Sequence, residues 1–293
     1  MQIAANGLSL EVEEHGSPVG EPLLLVMGLG MQLLGWDEGF VAALVGRGFR
    51  VIRFDNRDIG LSQRLDETGV PNLVLEAIRH ALGRPVHSPY TLADMALDCV
   101  GILDALGVAR AHVCGASMGG MIGQHLGARH AHRLKSLTLM MTTTGARRLP
   151  GPTLKVRSAL ISRPRDASVA GIVEHYVRLY RLIGSPGYPP VEADLQERFT
   201  RSVRRAYRPA GLARQMVAIA ADGDRTQLVE TIQVPTHVIH GDADALVPLP
   251  AGRDLAARIR GATIDVIRGM GHDLPEALWP RFATGIEAVA ARA

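Results

Sequence analysis

The twelve residues His112–Gly123, His-Val-Cys-Gly-Ala-Ser-Met-Gly-Gly-Met-Ile-Gly, decide how this chain folds. A short apolar run of strand length leads into Gly115-Ala116-Ser117-Met118-Gly119, and a helical pattern begins directly after Ser117. The segment therefore predicts a strand, a tight turn and a helix, with the serine at the apex in strained backbone. Such a turn raises the serine hydroxyl out of the fold toward a substrate. Five residues alone match many unrelated proteins, so the rest of the chain has to supply the context.

Glycine recurs around this serine wherever strand and helix would have to approach each other closely. Gly115 and Gly119 flank the turn, where a Cβ atom would clash. Gly119, Gly123 and Gly127 are four residues apart, so they lie along one face of the predicted helix. We expect that face to pack unusually close to the sheet.

Length and composition indicate a globular protein with a large core. The chain has 293 residues, 47% of them hydrophobic, which fits one large α/β domain or a core with an insertion. The segment Met1–Leu10 has neither a basic start nor a long apolar run, and we expect no export signal and no membrane span. Cys99 and Cys114 have no metal-ligand spacing and cannot form a disulfide framework. These features favour a reduced, cytoplasmic protein.

The formal charge of +3 conceals a basic block in the middle of the chain. Between residues 143 and 230 there are fourteen Arg and one Lys against eight acidic residues. Such a block can face an anionic substrate, a membrane surface or nucleic acid. We interpret it instead as a solvated helix face, because Asp194 with Arg198 and Glu197 with Arg201 have the spacing of ordinary i,i+4 ion pairs. No nucleic-acid partner is expected.

Strand and helix patterns alternate through most of the chain. An Asn6-Gly7 turn predicts an opening hairpin, and Thr91 with Asp94 three places on predicts the capped start of a helix. Apolar runs of strand length occur at 22–27, 50–54, 111–114, 134–140, 236–240 and 263–267. This order predicts an α/β fold with a mostly parallel sheet and helices on both faces.

The alternation stops between residues 143 and 234. Helical periodicity is found around 153–162, 166–183, 191–206 and 208–221. No strand pattern is evident among these segments. We interpret residues 143–234 as a helical cap, or lid, inserted into a core formed by residues 1–142 and 235–293.

A serine hydroxyl is a weak nucleophile, so it needs a base, and the base needs an acid that fixes its tautomer. His272 lies in a glycine-containing loop after the last predicted strand, and Asp244 lies in the loop after the preceding strand. Serine, acid and histidine would then project from the carboxyl ends of parallel strands, where open α/β sheets bind their ligands. Asp242, in the same loop as Asp244, is an alternative acid.

With these motifs the chain closely resembles the α/β-hydrolase fold family, over about residues 1–142 and 230–293. The resemblance rests on the turn at Ser117, the loop Gly241–Pro248, Gly271-His272, and Met27-Gly28-Leu29-Gly30 where many members have a His-Gly loop. It implies an eight-stranded, mostly parallel sheet flanked by helices, with an inserted helical cap. In such enzymes the acid usually stands four residues before the proline of its loop, which selects Asp244 over Asp242.

An oxyanion hole needs two backbone N–H groups aimed at the negative charge that develops during the reaction. Met118, the residue after the nucleophile, supplies one of them, and the resemblance implies Leu29 as the other. Met27 stands where the family's usual histidine would be. The loop Asp55–Ser62 also resembles a turn of the family, and we expect it to be structural.

Methionines cluster at the predicted strand ends near the serine. For each methionine alone, a place in the core is the simpler interpretation. Together they suggest a deformable apolar pocket for the acyl or alcohol group. The expected pocket residues are Gly28, Met31, Trp36, Met141 and Met270.

The remaining histidines do not have the spacing of a metal site. His112, His237 and His240 lie in or beside predicted strands, and His125 lies on the helix after the serine. We interpret all four as structural, and we expect neither a metal nor another cofactor.

The sequence thus predicts a serine hydrolase that cleaves carboxylic esters through an acyl-enzyme intermediate. Its expected partner is a small-molecule ester with an apolar part. Within the family, the resemblance is greatest to bacterial esterases and to methylesterases that trim polyketide methyl esters. Lactonases, perhydrolases, carbon–carbon hydrolases and prolyl aminopeptidases use the same triad, and a ligand sensor with little turnover is a further alternative. The serine at position 117 disfavours a dehalogenase, whose nucleophile is an aspartate.

Overall fold

The computed structural model describes residues 1–293, and eight strands form one sheet through its centre. The strands are β1 (Gln2–Ala5), β2 (Leu8–His15), β3 (Glu21–Val26), β4 (Phe49–Phe54), β5 (Ala111–Ala116), β6 (Leu134–Met140), β7 (Thr236–Gly241) and β8 (Thr263–Ile267). Their order in the sheet is β1-β2-β4-β3-β5-β6-β7-β8. The pairs β1–β2 and β2–β4 are antiparallel, and every other pair is parallel. The predicted eight-stranded, mostly parallel sheet is confirmed.

Helices connect most of the parallel strands. They are α1 (Glu38–Val45), α2 (Leu73–Ala81), α3 (Leu92–Ala105), α4 (Met118–Arg129), α5 (Leu154–Ile161), α6 (Val169–Ile183), α7 (Glu192–Arg205), α8 (Pro209–Asp222), α9 (Thr226–Val229), α10 (Pro250–Arg258) and α11 (Trp279–Ala290). None of these helices has the length and apolar character that crossing a membrane requires.

Two apolar layers cover the sheet, one on each face, because successive side chains of a strand point to opposite sides. Leu24 and Val26 of β3 belong to a buried cluster of 32 residues that also includes residues of α3, α4 and α10. Leu23 and Leu25 belong to a second cluster, of 20 residues, with α1 and α11. Burial on both faces explains why residues 22–26 of this strand are all apolar.

The helix after Ser117 lies against the sheet along its glycines. A Cβ atom at Gly119 would be 2.0 Å from the carbonyl oxygen of Val26. Cβ atoms at Gly123 and Gly127 would each be 3.1 Å from a methyl group of Leu137. The predicted close approach of α4 to the sheet is confirmed, and it places the start of α4 at the carboxyl ends of β3 and β5.

Two predicted local motifs are present, and one helix was not foreseen. Asn6 and Gly7 have φ angles of 50° and 76°, as a two-residue hairpin turn of this kind requires. Thr91 and Asp94 form the expected capping box at the start of α3. Helix α2, by contrast, lies in a segment where no helix was predicted. Its apolar stripe is exposed, whereas Glu76 on the same helix is buried.

Helices α5 to α8 lie between β6 and β7 in the chain, and no strand interrupts them. Helices α6 and α7 pack against each other through a small apolar cluster of Ile172, Val173, Val177, Leu195, Phe199 and Val203. Ala218 of α8, together with Val229 and Ile232 beyond it, belongs instead to the larger core cluster. The inserted segment therefore has an outer part, α6 and α7, and an inner part that joins the core.

The arginines of this segment do not form the ion pairs that their spacing suggested. Arg198 does not pair with Asp194, and its guanidinium lies 4.7 Å from the centroid of the Tyr180 ring. Arg201 does not pair with Glu197, and it approaches Glu38 of α1 at 3.5 Å. The prediction of these two i,i+4 pairs was wrong because Arg198 stacks on an aromatic ring of α6 and Arg201 extends toward α1.

Candidate active site

Ser117 occupies the apex of the turn between β5 and α4. Its backbone has φ 55° and ψ −118°, which is strained for a residue with a side chain. Two hydrogen bonds hold that conformation in place. The Ser117 N–H donates to the carbonyl of Met140 at 2.9 Å, and the Thr142 hydroxyl donates to the carbonyl of Ser117 at 2.7 Å. The expected turn with a raised serine is therefore present.

Ser117, His272 and Asp244 lie in hydrogen-bond contact with one another. His272 Nε2 is 3.0 Å from Ser117 Oγ, and His272 Nδ1 is 2.7 Å from Asp244 Oδ2. The Asp244 side chain is fully buried. Its other oxygen accepts the N–H groups of Leu246 at 2.9 Å and Val247 at 2.7 Å. Since donors surround it, the carboxylate is fixed in the orientation that meets the imidazole.

The structure separates the two aspartates that compete in this loop. Asp242 is exposed and accepts the N–H of Gly269 at 2.7 Å, so it closes the turn and does not reach the imidazole. Asp244 alone contacts His272. A second histidine, His240, lies 3.8 Å from Asp244 and directs its Nε2 to the carbonyl of Val247 at 2.7 Å. Burial lowers the pKa of His240, so it stays neutral beside the carboxylate.

The loop that carries His272 is tied to the end of helix α6. The His272 N–H donates to the carbonyl of Ile183 at 2.7 Å, and the Gly271 N–H donates to the Ser185 hydroxyl at 2.8 Å. Ser185 in turn donates to the carboxylate of buried Asp273. Sequence analysis missed these contacts. The only feature of the sequence that points to these contacts is an acidic residue, Asp273, directly after His272.

The expected oxyanion loop forms a tight turn against the serine. The Met31 N–H donates to the carbonyl of Gly28 at 3.3 Å, and Gly30 has a φ of +68°. This combination is typical of a type II turn with glycine at its third position. A Cβ atom at Gly28 would be 3.1 Å from Ser117 Cβ, so only glycine allows this approach. The Leu29 N–H, at the second position, donates to no other atom of the chain.

Met118 is the first residue of α4, so its N–H belongs to the helix turn that has no intrahelical acceptors. The positive end of the helix dipole adds to the field at this point. Gly28 and Ser117 contact each other where the neighbouring strands β3 and β5 end. Leu29 and Met118 are the residues that follow them. The arrangement offers two N–H donors beside a serine hydroxyl, which is what a developing oxyanion needs.

The turn Asp55–Ser62 connects this loop to the inserted helices. The Asp55 carboxylate accepts the N–H of Leu33 at 2.7 Å and a hydrogen bond from Arg205 of α7 at 2.6 Å. Burial raises the Asp55 pKa above its usual range, while Arg205 opposes that rise. Asp58 forms a two-point ion pair with Arg214 of α8 at 2.7 and 2.8 Å. The turn is structural, as expected, and it is also the main polar junction between the sheet and the insertion.

Four of the five residues expected to line a pocket belong to one core cluster or pack against it, but only Met31 also borders the cavity described below. Gly28 contacts the serine, and Met31 is half-buried. The other three belong to the core cluster under α1 and α11: Trp36, Met141 and Met270. Trp36 is fully buried and stacks on Phe40 at 5.9 Å between ring centroids.

A cavity lies next to Met31, between the oxyanion loop and helices α6 to α8. Its apolar lining consists of Gly30, Met31, Ile59, Gly60, Tyr176, Phe199, Val203, Ala206, Tyr207 and Leu212. Tyr176 and Phe199 stack at 5.6 Å between ring centroids. Burial raises the pKa of Tyr176 to about 12, so the Tyr176 hydroxyl is protonated at physiological pH. The polar residues Gln32, Ser202 and Arg208 complete the cavity lining. Sequence analysis did not predict these aromatic residues because they lie on the inserted helices.

Three of the other histidines each contact a polar side chain. His112 contacts the Ser136 hydroxyl at 2.8 Å, His237 contacts the Thr263 hydroxyl at 2.8 Å, and His125 contacts Asp222 at 2.9 Å. No group of three or more His, Cys, Asp or Glu side chains has the geometry to hold a metal ion.

Known proteins resemble this chain in sequence and in fold. A sequence model of the alpha/beta hydrolase fold matches residues 21–171. Rhodomycin D methylesterase of Streptomyces peucetius is 29% identical, over 97% of this chain and 95% of its own. A putative carbamate hydrolase of Caulobacter sp. (strain K31) is 30% identical, over 89% of this chain and 87% of its own. The crystal structure of the enol-lactonase from Burkholderia xenovorans LB400 has a TM-score of 0.71 and 25% identity, covering 99% of this chain and 100% of that one.

The matched region, 21–171, contains β3 to β6 and therefore the oxyanion loop and the Ser117 turn. The relatives extend the likeness to nearly the whole chain, including the loops of Asp244 and His272. This protein belongs to the α/β-hydrolase fold family.

Proposed function

We propose that the protein hydrolyses carboxylic esters by way of an acyl-enzyme formed on Ser117. The protein is a carboxylic ester hydrolase. A methylesterase is among its sequence relatives, and an esterase is among the structures with the same fold. The observation that carries the mechanism is the line of contacts from Asp244 through His272 to Ser117, at 2.7 and 3.0 Å. A strained serine at the end of that line has the geometry of an activated nucleophile.

In the first half of the reaction, Ser117 Oγ attacks the ester carbonyl while His272 Nε2 takes its proton. The carbonyl oxygen becomes an oxyanion, which the N–H groups of Leu29 and Met118 stabilise. The tetrahedral intermediate then collapses, and the imidazolium gives its proton to the leaving alkoxide. An alcohol departs, and the acyl group remains on the serine.

In the second half, water attacks the acyl-enzyme and His272 again acts as the base. The second tetrahedral intermediate collapses, His272 returns the proton to Ser117 Oγ, and the acid product leaves. Throughout, buried Asp244 holds Nδ1 of the imidazole in its protonated form and stabilises the positive charge on the ring. Its hydrogen bonds from Leu246 and Val247 keep the carboxylate from rotating away.

The inserted segment 143–234 serves, in this proposal, as a cap over a core of residues 1–142 and 235–293. The segment supplies eight of the thirteen lining residues of the cavity beside the oxyanion loop, including stacked Tyr176 and Phe199. The three triad residues all lie outside the segment. Chemistry and substrate selection are then carried by different parts of the chain.

The cavity has eight hydrophobic lining residues, of which Tyr176, Phe199 and Tyr207 are aromatic, and Arg208 is its one charged lining residue. The hydrophobic part of this lining fits the ester of a small molecule with an apolar acyl part. The methylesterase relative is consistent with a small alcohol as the leaving group. Lactones are the second candidate, because a lactone is a cyclic ester and a lactonase is among the similar structures.

The test is a substrate panel of methyl and 4-nitrophenyl esters with increasing acyl size, together with lactones and aminoacyl amides. Each is measured with the wild type and with Ser117→Ala. We expect ester hydrolysis that disappears in the variant. Turnover of lactones above that of every matched open-chain ester would move the assignment to the second candidate, and ester hydrolysis that survives Ser117→Ala would overturn the mechanism.

A further inference from the structure

We propose that Gln215, on the inserted helix α8, is a positioning residue that holds the oxyanion loop in its active conformation. This inference rests on the proposed function, because it concerns the turn that presents the Leu29 N–H to the substrate. Gln215 is fully buried. It belongs to none of the motifs that identify the triad or the oxyanion loop in the sequence.

The oxyanion turn has one peptide group whose direction is not set by the turn itself. The hydrogen bond from Met31 to Gly28 closes the turn at 3.3 Å, which is long for a hydrogen bond, so it holds the Gly28–Leu29 peptide only loosely. The middle peptide, between Leu29 and Gly30, can point to either side, which is the difference between type I and type II turns. Glycine at position 30 accepts both, because it populates positive and negative φ about equally.

Gln215 selects one of these two orientations. Its side-chain oxygen accepts the Gly30 N–H at 2.9 Å, which is the donor of the middle peptide. Its side-chain nitrogen donates to the carbonyl of Arg57 at 3.0 Å, so the amide is anchored to the Asp55–Ser62 turn. If the middle peptide flipped, the Gly30 N–H would turn away from this acceptor, and a buried amide oxygen would lose its partner.

Packing from the same helix supports the selected orientation. A Cβ atom at Gly30 would be 2.6 Å from Cδ1 of Leu212, so α8 lies directly against the turn. The far end of the loop is also held by the insertion. Gln32 donates to the carbonyls of Ser202 at 2.7 Å and Ala206 at 2.8 Å, at the end of α7.

The consequence concerns the transition state more than substrate binding. Turning the middle peptide changes the backbone on both sides of it and moves the Leu29 N–H away from the developing oxyanion. The donor is needed when charge appears on the carbonyl oxygen, so its loss lowers kcat and leaves KM nearly unchanged. The inserted helices then act on the chemical step through Gly30 and Leu29, without touching the reacting atoms.

The experiment compares Gln215→Leu with Gln215→Glu. Leucine removes the acceptor and keeps the size, whereas a buried glutamic acid in its neutral form keeps an acceptor for Gly30 and a donor for Arg57. Gln124→Leu is the matched control, because Gln124 is also fully buried and also bonds across to the inserted segment, at the carbonyl of Thr143. Circular dichroism and thermal unfolding establish that each variant is folded.

Two readouts are measured, the kinetics with 4-nitrophenyl acetate and inhibition by an aryl trifluoromethyl ketone, which forms a tetrahedral oxyanion adduct on the serine. For Gln215→Leu we expect kcat to fall about 10- to 100-fold, somewhat less than the loss of a whole oxyanion donor, with KM nearly unchanged. The inhibition constant of the ketone should rise by a similar factor. Gln215→Glu and Gln124→Leu should stay close to the wild type in both readouts.

A folded Gln215→Leu variant with wild-type kcat would overturn the inference, as would an equal loss in Gln124→Leu or a loss confined to KM. If Gln215→Leu does not fold, Gln215→Met removes the same acceptor on an unbranched side chain and is judged by the same criteria. Failure of the proposed function is recognised separately, since wild-type hydrolysis would then be absent or would persist in Ser117→Ala.

Discussion

The sheet core and the outer inserted helices are stabilised by different kinds of interaction. The core has two large apolar clusters, of 32 and 20 buried residues, with helices packed on both faces of the sheet. Helices α6 and α7 share a cluster of only six residues, and much of their attachment to the core is polar. Arg205 binds Asp55, and Ser185 binds Gly271 and Asp273. The triad is therefore built on the part with deep packing, and the part beside the cavity is fastened at a few polar points.

The largest effect should come from the core. Replacing Ser117 or His272 by alanine should each lower kcat by about a million-fold, because the triad acts as a unit. The double variant should lose no more than either single variant. Steady-state kinetics on 4-nitrophenyl acetate measure this, with Gln124→Leu as a folded control outside the triad. Losses that multiply in the double variant would mean that the two residues act independently.

The second effect distinguishes the two aspartates of one loop. Asp244→Asn should lower kcat about ten-thousand-fold, because the asparagine amide favours the wrong tautomer of His272. Asp242→Asn should have little effect, since Asp242 only accepts the N–H of Gly269. The two variants differ by the same atoms and lie two residues apart, so each is the control of the other. The reverse ranking would contradict the assignment of Asp244.

A third, smaller effect tests whether the outer helices select the substrate. Tyr176→Leu should change the preference between a bulky ester and an acetate ester roughly 10- to 200-fold, the range that lost apolar contacts supply. Turnover of the acetate ester should stay nearly the same. Val169→Ala is the control, because Val169 lies on the same helix and is 41% exposed. Equal losses for both esters would show that α6 affects the chemistry and not the selection.

The smallest effect concerns the inner end of the insertion, where Asp222 of α8 contacts His125 of α4 at 2.9 Å. Burial alone would raise the Asp222 pKa, but His125 and Arg225 outweigh it and hold the pKa below its usual value. A carboxyl with a lowered pKa stabilises the fold above its unfolded pKa, and that contribution disappears as the pH falls through the folded pKa.

Urea unfolding at pH 7 and in the acid range below about pH 4 tests this contribution. The decline in the free energy of unfolding should be larger for the wild type than for Asp222→Asn, in which position 222 cannot titrate. Measuring both proteins at both pH values cancels the acid sensitivity of the other carboxyl groups. Equal declines would show that this contact adds nothing to the pH dependence of stability.

The sequence predicted the core better than the insertion for a physical reason. The strands, the Ser117 turn and the glycine face of α4 follow from local patterns of apolar residues and glycine. The loops of Asp244 and His272 follow from their places after strands. Each of these signals lies within a few residues of the feature that it predicts.

The contacts of the insertion depend on residues far apart in the chain. Gln215 meets Gly30 across 185 positions, and Ser185 meets Asp273 across 88. No local pattern marks such pairs. The spacing along α7 predicted the wrong partner for Arg198, which lies over the ring of Tyr180 on α6. Helix α2 was missed although its residues have the apolar periodicity of a helix and Asn72 caps its start. Its apolar stripe faces outward, against the usual pattern of a surface helix.

The central claim is that Ser117 carries the acyl group during turnover. The most direct test is to treat the protein with a fluorophosphonate, which reacts with activated serines, and to map the adduct by peptide mass spectrometry. We expect one adduct, on Ser117, and we expect none in His272→Ala, in which the serine lacks its base. An adduct on any other residue, with Ser117 unmodified in the active protein, would contradict the claim.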